Sequence, residues 1–342
     1  MNLILKIFLW LPSKLYQIVV WVRNLLFDKH LIKSTSFATP IIFSVGNIAV
    51  GGTGKTPHVE YLIRLLAERY RLAVLSRGYK RKTKGYLLAN DLKTVTAKEI
   101  GDEPYQIYSK HRDLLVAVDA DRVEGVERLK ERTDAPDVIL LDDAFQHRYL
   151  RPHCSIVLCD YSRPPLDDHL LPMGRLREPL SALQRVDAVV VTKCPKKLTA
   201  EELKLWHQKL RLLPTQPIFS SVISYDHLVG ANGILTLDQL KTKHQAVVLV
   251  TGIANPEPLC DYLTSHGVEV NHLAFSDHHN FSAEEIQTIE QTCGSSSFLL
   301  TTEKDFVRLK TMLSSQLLDR TFVLPIHVEL SEGFDRFILS QL

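Results

Sequence analysis

Disulfide and zinc scaffolding are missing from this chain. Only five cysteines occur in 342 residues, Cys154, Cys159, Cys194, Cys260 and Cys293. They are odd in number and scattered, and none forms a C-x-x-C pair, which excludes a disulfide framework and a structural zinc centre. Buried thiols in a reducing cytosol are the expectation. Charge of one sign is missing too. The formal net charge is +2, so no global field draws the chain to nucleic acid, and an anionic partner must be met by a local patch. No uninterrupted apolar run approaches the roughly 20 residues that a spanning helix needs. Internal repeats and low-complexity tracts are absent. What remains is an ordinary globular composition, 45% apolar and 23% charged, in a chain long enough for two domains.

The most apolar stretch, Met1 to Phe27, is interrupted by Lys6, Pro12, Lys14, Gln17 and Arg23. It lacks the small-residue cleavage site of a secretory signal. Trp10, Tyr16 and Trp21 interleaved with basic residues suit an amphipathic segment lying among lipid headgroups, and residues 1–30 are assigned to it.

Ala49-Val50-Gly51-Gly52-Thr53-Gly54-Lys55-Thr56 reads as a phosphate cradle. It follows the apolar run Ile41–Val45 and precedes a helical pattern from His58 to Glu68. A strand, a glycine-rich turn and a helix N-terminus gather backbone N–H groups around one anion. The glycines admit positive φ and close approach of phosphate oxygens. Lys55 would reach the β- and γ-phosphates, and the Thr56 hydroxyl would ligate Mg²⁺. A nucleoside triphosphate is the expected ligand.

Apolar runs suited to buried parallel strands recur at Ile41–Val45, Leu72–Leu75, Leu114–Val118, Val138–Leu141, Ile156–Leu158 and Ala188–Val191. This patterning predicts an α/β fold, a doubly wound, mainly parallel sheet of the P-loop NTPase kind spanning residues 31–214. Pro214 and Pro217 bracket a break. Beyond it, residues 215–342 read as a smaller α/β domain. Its predicted elements are a strand over Val247–Val250, a helix over Pro258–Ser265 and a short strand near Leu273. A capping box opens at Ser282, and strands are expected over Phe298–Leu300 and Phe322–Ile326. Two such domains predict a cleft with the nucleotide loop on one wall.

Val138-Ile139-Leu140-Leu141-Asp142-Asp143 is an apolar run ending in acids, the pattern that delivers a carboxylate to the metal beside a phosphate loop. Asp142 and Asp143 are both candidates. Gln146 and His147 follow, placed to orient a water or support the metal. Gly101-Asp102-Glu103-Pro104 sets two carboxylates at a helix start. Either is a candidate base for an acceptor hydroxyl, although acids there also complement the helix dipole. Asp277-His278-His279-Asn280 pairs a carboxylate with two histidines, and no i+4 ligand partner supports zinc. Ser76 to Lys84 is a dense basic loop fit for an anionic group, with Arg77, Arg122 and Arg177 near predicted strand ends. Thr192-Lys193, ending another strand, is a place where a base or ribose can be contacted. A nucleotide-driven switch would use the same loop and acids, but leaves the Asp102 turn and the Asp277-His278 pair without a task.

Taken together, these stretches resemble the tetraacyldisaccharide 4′-kinase family of lipid A biosynthesis. The resemblance is carried by Ser44-Val45-Gly46-Asn47 leading into the phosphate loop, Leu75 to Tyr79, Gly101 to Pro104 and Asp142 to Arg148. Leu171 to Leu180, Asp277-His278 and Thr302-Glu303-Lys304-Asp305 complete it. It implies ATP and Mg²⁺ as cofactors and an acylated disaccharide 1-phosphate as acceptor at its 4′-hydroxyl. It further implies a peripheral station on the cytoplasmic face of the inner membrane, with no nucleic acid and no obligate protein partner. Asp102 is implied as the base, paired with His278. Asp142 and Asp143 are implied to serve metal and nucleotide, and which of the two binds metal directly stays open, as does His278 against His279.

Overall fold

The computed structural model describes residues 3–166, 168–242, 246–277 and 279–342, with side chains from residue 8 onward. The chain divides into two compact units, Met1–Ile223 with Val328–Leu342, and Ser224–His327.

The first unit opens with α1 (Leu3–Asp28), then β1 (Ile41–Asn47) and α2 (Lys55–Leu66). Next come β2 (Leu72–Ser76), β3 (Leu87–Leu88), β4 (Leu115–Val118) and β5 (Val138–Asp142). They are followed by β6 (Cys154–Asp160), β7 (Ala188–Thr192) and β8 (Ile218–Tyr225). Strands β2, β5, β6 and β7 are buried along their whole length. That explains why they read as unbroken Val, Ile and Leu runs rather than as alternating ones. The five cysteines are free thiols.

The chain then builds the second unit with β9 (Leu228–Gly230), β10 (Gly233–Leu235), β11 (Val247–Thr251), β12 (Val270–Ala274), β13 (Phe298–Thr301) and β14 (Thr321–Val323). It returns as β15 (Ile326–Leu330) to the first sheet, whose order is β15-β8-β7-β6-β1-β5-β2-β4-β3. Within the second unit β12, β11, β13 and β14 run parallel, and Ser282 caps the helix Ala283–Cys293 with the reciprocal Glu285 bond of a capping box.

Two expectations are corrected. The strand expected over Phe322–Ile326 is two strands, because Pro325 interrupts the run and has no N–H for a ladder. β14 and β15 belong to different sheets. The Pro214–Pro217 break is a turn inside the first unit, not its edge. Gln216 is buried there, its amide donating to the Leu183 carbonyl at 2.8 Å, and β8 beyond it pairs in parallel with β7. The C-terminal residues also belong to this unit. Phe334 packs edge-on against Phe219 at 5.1 Å, and the Tyr61 hydroxyl donates to Asp335 at 2.6 Å.

β1 sits centrally, with β5, β2 and β4 on one side and β6, β7 and β8 on the other. The connections change direction at β1, and in open α/β sheets the crevice at the carboxyl ends of strands at such a switch point receives the ligand. The register brings Val45 of β1 opposite Asp142 of β5, and Asp143 N–H donates to the Val45 carbonyl at 2.9 Å. The glycine loop and the acidic strand end therefore leave the sheet side by side.

Candidate nucleotide-binding and transfer site

The loop after β1 is fastened from three directions. Asn47 Nδ2 donates across its base to Thr53 Oγ1 at 2.8 Å, and Thr192 Oγ1 donates to the Thr53 carbonyl at 3.0 Å. Val50 N–H donates to the Arg175 carbonyl at 2.8 Å and Arg177 N–H to the Ile48 carbonyl at 2.7 Å. Gly51 and Gly54 take φ of 115° and 86°, which L side chains rarely adopt. A Cβ built on Gly51 or Gly52 would meet nothing within 4 Å, so the mouth of the loop is open space. α2 then starts at Lys55, three residues before the expected start, and Thr56 is buried in its first turn.

Asp143 is the electrostatic centre. Its carboxylate is 2.7 Å from Arg177 Nη2 and 3.7 Å from Lys55 Nζ. Burial pushes its pKa up, but the Lys55 and Arg177 cations outweigh burial and hold it below the usual carboxylate range. Arg177 also donates to Asn47 Oδ1, and Gln146 Nε2 donates to the Asn47 carbonyl at 2.8 Å. Arg122 is 4% exposed, its Nη1 donating to the Ala120 carbonyl at 2.9 Å. Burial, aided by the nearby Arg77 charge, lowers its pKa to about 10, while Asp143 and Asp142 oppose the shift. Burial and the Arg122 charge push His147 down to about 4, so its ring is neutral at physiological pH. Arg77, Arg122, Arg177, Gln146 and His147 thus gather with Lys55 and Asp143 at one edge of the sheet.

Asp102 opens the helix Asp102–Lys110 and is half-buried. A Cβ on Gly101 would approach Gly78 Cα at 3.2 Å and the Tyr79 carbonyl oxygen at 3.1 Å. Only two glycines let the helix start press against the turn that follows β2 and carries Arg77. The buried Glu60 of α2 accepts from Gln106 at 3.2 Å and from Lys110 at 2.7 Å, locking the helix alongside α2. Both helices carry the chain from the carboxyl edge of the sheet back to its other edge, so their N-termini share the site's edge.

Other expected residues stand differently. His278 lies outside the described residues. His279 is engaged within its own unit, its Nε2 2.9 Å from Glu285 Oε2 and its Nδ1 3.3 Å from Ser276 Oγ. Arg81 is withdrawn from the basic loop's anion-facing set, because its guanidinium donates to the Val118 and Gly85 carbonyls. Lys193 is held by Asp160 at 3.0 Å.

A hard, oxygen-only donor set suits Mg²⁺, which binds through one or two carboxylates, waters and phosphate oxygens. Thr56 and the fully buried Asp142, with Asp143, fit that description. Among the described residues no group of three or more His, Cys, Asp or Glu side chains is poised for a metal.

Three contributors have no role in the sequence reading, although Asn47 and Glu178 lie in stretches that carry the family resemblance. Asn47 joins loop, Gln146 and Arg177; its signal was a polar residue ending an apolar strand. His58 lies buried behind the loop. Glu178 is fully buried and accepts from Asn24 Nδ2 at 2.8 Å, from Arg23 and from Arg185 at 3.3 Å. An acid set among arginines and followed by proline was the available signal there.

Those contacts anchor α1 by its polar side. Ser13 Oγ donates to the Leu170 carbonyl at 2.8 Å, the Tyr16 hydroxyl to the Arg177 carbonyl at 3.0 Å, and Arg148 to Asp28 at 2.6 Å. Apolar side chains cover the opposite side, with Phe8 75%, Leu11 68% and Trp21 61% exposed. The inward side is mixed, since Val20 and Phe27 are buried there beside Ser13. No helix among the described residues is long and apolar enough to cross a membrane.

A family model described as tetraacyldisaccharide-1-P 4′-kinase matches residues 5–342. Tetraacyldisaccharide 4′-kinase of Phocaeicola vulgatus is 44% identical over 339 residues, covering 95% of this chain and 91% of the relative. That of Flavobacterium johnsoniae is 43% identical over 346 residues, covering 100% and 98%. The crystal structure of LpxK from Aquifex aeolicus in complex with ATP superposes with a TM-score of 0.78 at 32% identity, covering 98% of this chain and 99% of that one. The chain therefore belongs to the tetraacyldisaccharide-1-P 4′-kinase family.

Proposed function

We propose that this chain transfers the γ-phosphoryl group of ATP to the 4′-hydroxyl of a tetraacylated disaccharide 1-phosphate, a step of lipid A synthesis. The observation that carries the reading is the convergence of Lys55, Asp143, Arg177, Arg122 and His147 where β1 and β5 leave the sheet. Phosphoryl transfer needs little covalent help from the protein; it needs charge compensation and alignment. Backbone N–H groups of residues 51–56 and the Lys55 ammonium would hold the donor phosphates. In this reading Lys55 exchanges its 3.7 Å contact with Asp143 for phosphate oxygens. Arg177 then keeps the Asp143 carboxylate ionised and oriented. Thr56, Asp142 and Asp143 would hold Mg²⁺, which supplies neutralisation of the charge spread over the phosphoryl oxygens. Asp102 takes the proton of the acceptor hydroxyl. The buried cation Arg122 and the solvent-facing Arg77 are suited to the acceptor's anionic groups.

The outward apolar side of α1 supports residence on a lipid surface, with the cytoplasmic face of the inner membrane as its place. The exchange Trp10→Glu with Trp21→Glu is expected to weaken partition to vesicles about tenfold or more, measured by cosedimentation. Activity on an acceptor dispersed in detergent should survive it. Unchanged partition would remove α1 from membrane attachment.

The enzymatic reading is tested by incubating γ-labelled ATP with the chain, magnesium and the acylated disaccharide. Label should appear in the lipid-extractable fraction. Label released only as inorganic phosphate, and accelerated by added protein, would favour the switch instead.

A further inference from the structure

His58 sits three residues beyond Lys55, on the side of α2 that faces away from the open mouth of the loop, and is 4% exposed. Its ring is engaged at both nitrogens. Nδ1 is 2.7 Å from the Gly54 carbonyl oxygen, and Nε2 is 2.9 Å from Ser221 Oγ on β8. Ser221 itself is fully buried, with its carbonyl accepting from Cys194 N–H at 3.0 Å. A carbonyl only accepts, so Nδ1 carries the hydrogen, Nε2 is bare, and the serine hydroxyl donates to it. Burial pushes the ring down to about 4, which keeps it neutral at physiological pH.

The Gly54–Lys55 peptide is trans, so its C=O and N–H point in opposite directions. A donor that pins the carbonyl toward the protein interior therefore turns the Lys55 N–H outward, into the space where the loop opens. The Gly54 residue, with φ 86° and ψ 27°, has no side-chain cap of its own, and its carbonyl also accepts from the His58 backbone N–H at 3.3 Å, so the imidazole is the second and closer of two donors that hold it. A Cβ at Gly54 would make only an ordinary contact with the ring, 3.6 Å from Nδ1; the φ of 86°, not lack of room, is what calls for glycine.

We propose that His58 is a positioning residue of the phosphate loop, its imidazole linking Ser221 to the Gly54 carbonyl and thereby aiming the Lys55 N–H at the donor phosphates. The proposal rests on the nucleotide-binding reading of the loop and adds to it a residue outside the glycine-lysine motif. A backbone N–H that touches phosphate in both ground state and transition state affects affinity more than turnover.

The test uses the full chain and ATP, with titration calorimetry for the Kd and steady-state kinetics for KM and kcat. His58→Leu keeps the volume and removes both bonds; it should raise Kd and KM for ATP about tenfold while kcat stays within about threefold. His58→Asn places an amide N–H near the Nδ1 position and should restore Kd to within about threefold of the parent. Ser221→Ala, which removes only the far end of the chain of bonds, should give an intermediate loss. The nucleotide-free melting temperature serves as the folding control. Equal Kd values for parent and His58→Leu would overturn the proposal. So would an Asn variant as impaired as Leu at equal melting temperature, which would mean that packing alone matters. A parent protein that binds no ATP would instead overturn the nucleotide-binding reading itself.

Discussion

Asp102→Ala should lower phosphoryl transfer by about 10²–10⁴-fold while the Kd for ATP moves less than about threefold. The magnitude is that of losing a positioned general base. The selectivity follows from placement: Asp102 opens the helix Asp102–Lys110, which packs along α2 through Glu60, and makes no part of the glycine loop itself. An acid in a first helical turn also stabilises the helix dipole, by about 0.3–1 kcal/mol at an exposed site. Asp102→Asn separates the two contributions, since it keeps the shape and hydrogen-bonding capacity while losing the base. Equal inactivity of Ala and Asn with unchanged melting temperatures assigns proton acceptance to the carboxylate. An Asn variant with parental turnover would assign Asp102 to helix stability alone.

Lys55→Met should be the other severe lesion, acting on both parameters. Removing a cation that compensates charge on the transferred group is expected to cost about 10²–10³ in kcat, with at least a tenfold loss in ATP affinity. The same change touches the free protein, because the Lys55 ammonium is the strongest of the charges that counter the upward push of burial on Asp143. Arg177, 2.7 Å away, remains and limits the rise. The sign is fixed by linkage: a carboxylate held below its unfolded pKa adds stability above that pKa, and the addition fades as pH falls through the folded value. Lys55→Met should therefore flatten the acid side of the stability profile, read as melting temperature against pH below the ordinary aspartate range. ATP-dependent labelling of the acceptor within threefold of the parent would exclude Lys55 from the chemistry.

Much of this was readable from residue order, for identifiable reasons. Parallel strands buried on both faces leave unbroken apolar runs, so β1, β2, β5 and β7 appeared in the sequence nearly at their true limits. The glycine loop and the Asp142-Asp143 strand end are local patterns, and their adjacency follows from neighbouring strands in parallel register. The domain boundary was misjudged because proline marks turns and not domain edges: the Pro214–Pro217 turn is stitched in by the Gln216 amide, a long-range bond that no local signal shows. Return of the C-terminal residues to the first sheet depends on the same kind of contact, Phe334 against Phe219. In the site, Lys55 and Asp143 were legible, whereas Asn47, His58 and Glu178 act through partners more than 100 residues away or through the backbone. His58 looked like the first residue of an amphipathic pattern; only Ser221, brought alongside by β8, gives its second nitrogen a purpose. The amphipathic segment over residues 1–30 is legible in composition, but which of its residues turn inward, Ser13 onto Leu170 and Asn24 onto Glu178 beside the buried Val20 and Phe27, requires the fold.

Where the phosphate goes is the most direct question to put to the molecule. Phosphorus NMR of the purified product, correlated to the sugar protons, should show a new phosphomonoester coupled to H4′ of the distal glucosamine, with the original 1-phosphate unchanged and one ADP formed per ester. A 4′-deoxy acceptor should give neither. A new phosphate on any other oxygen, or ADP formed at the same rate without an acceptor, would contradict the account.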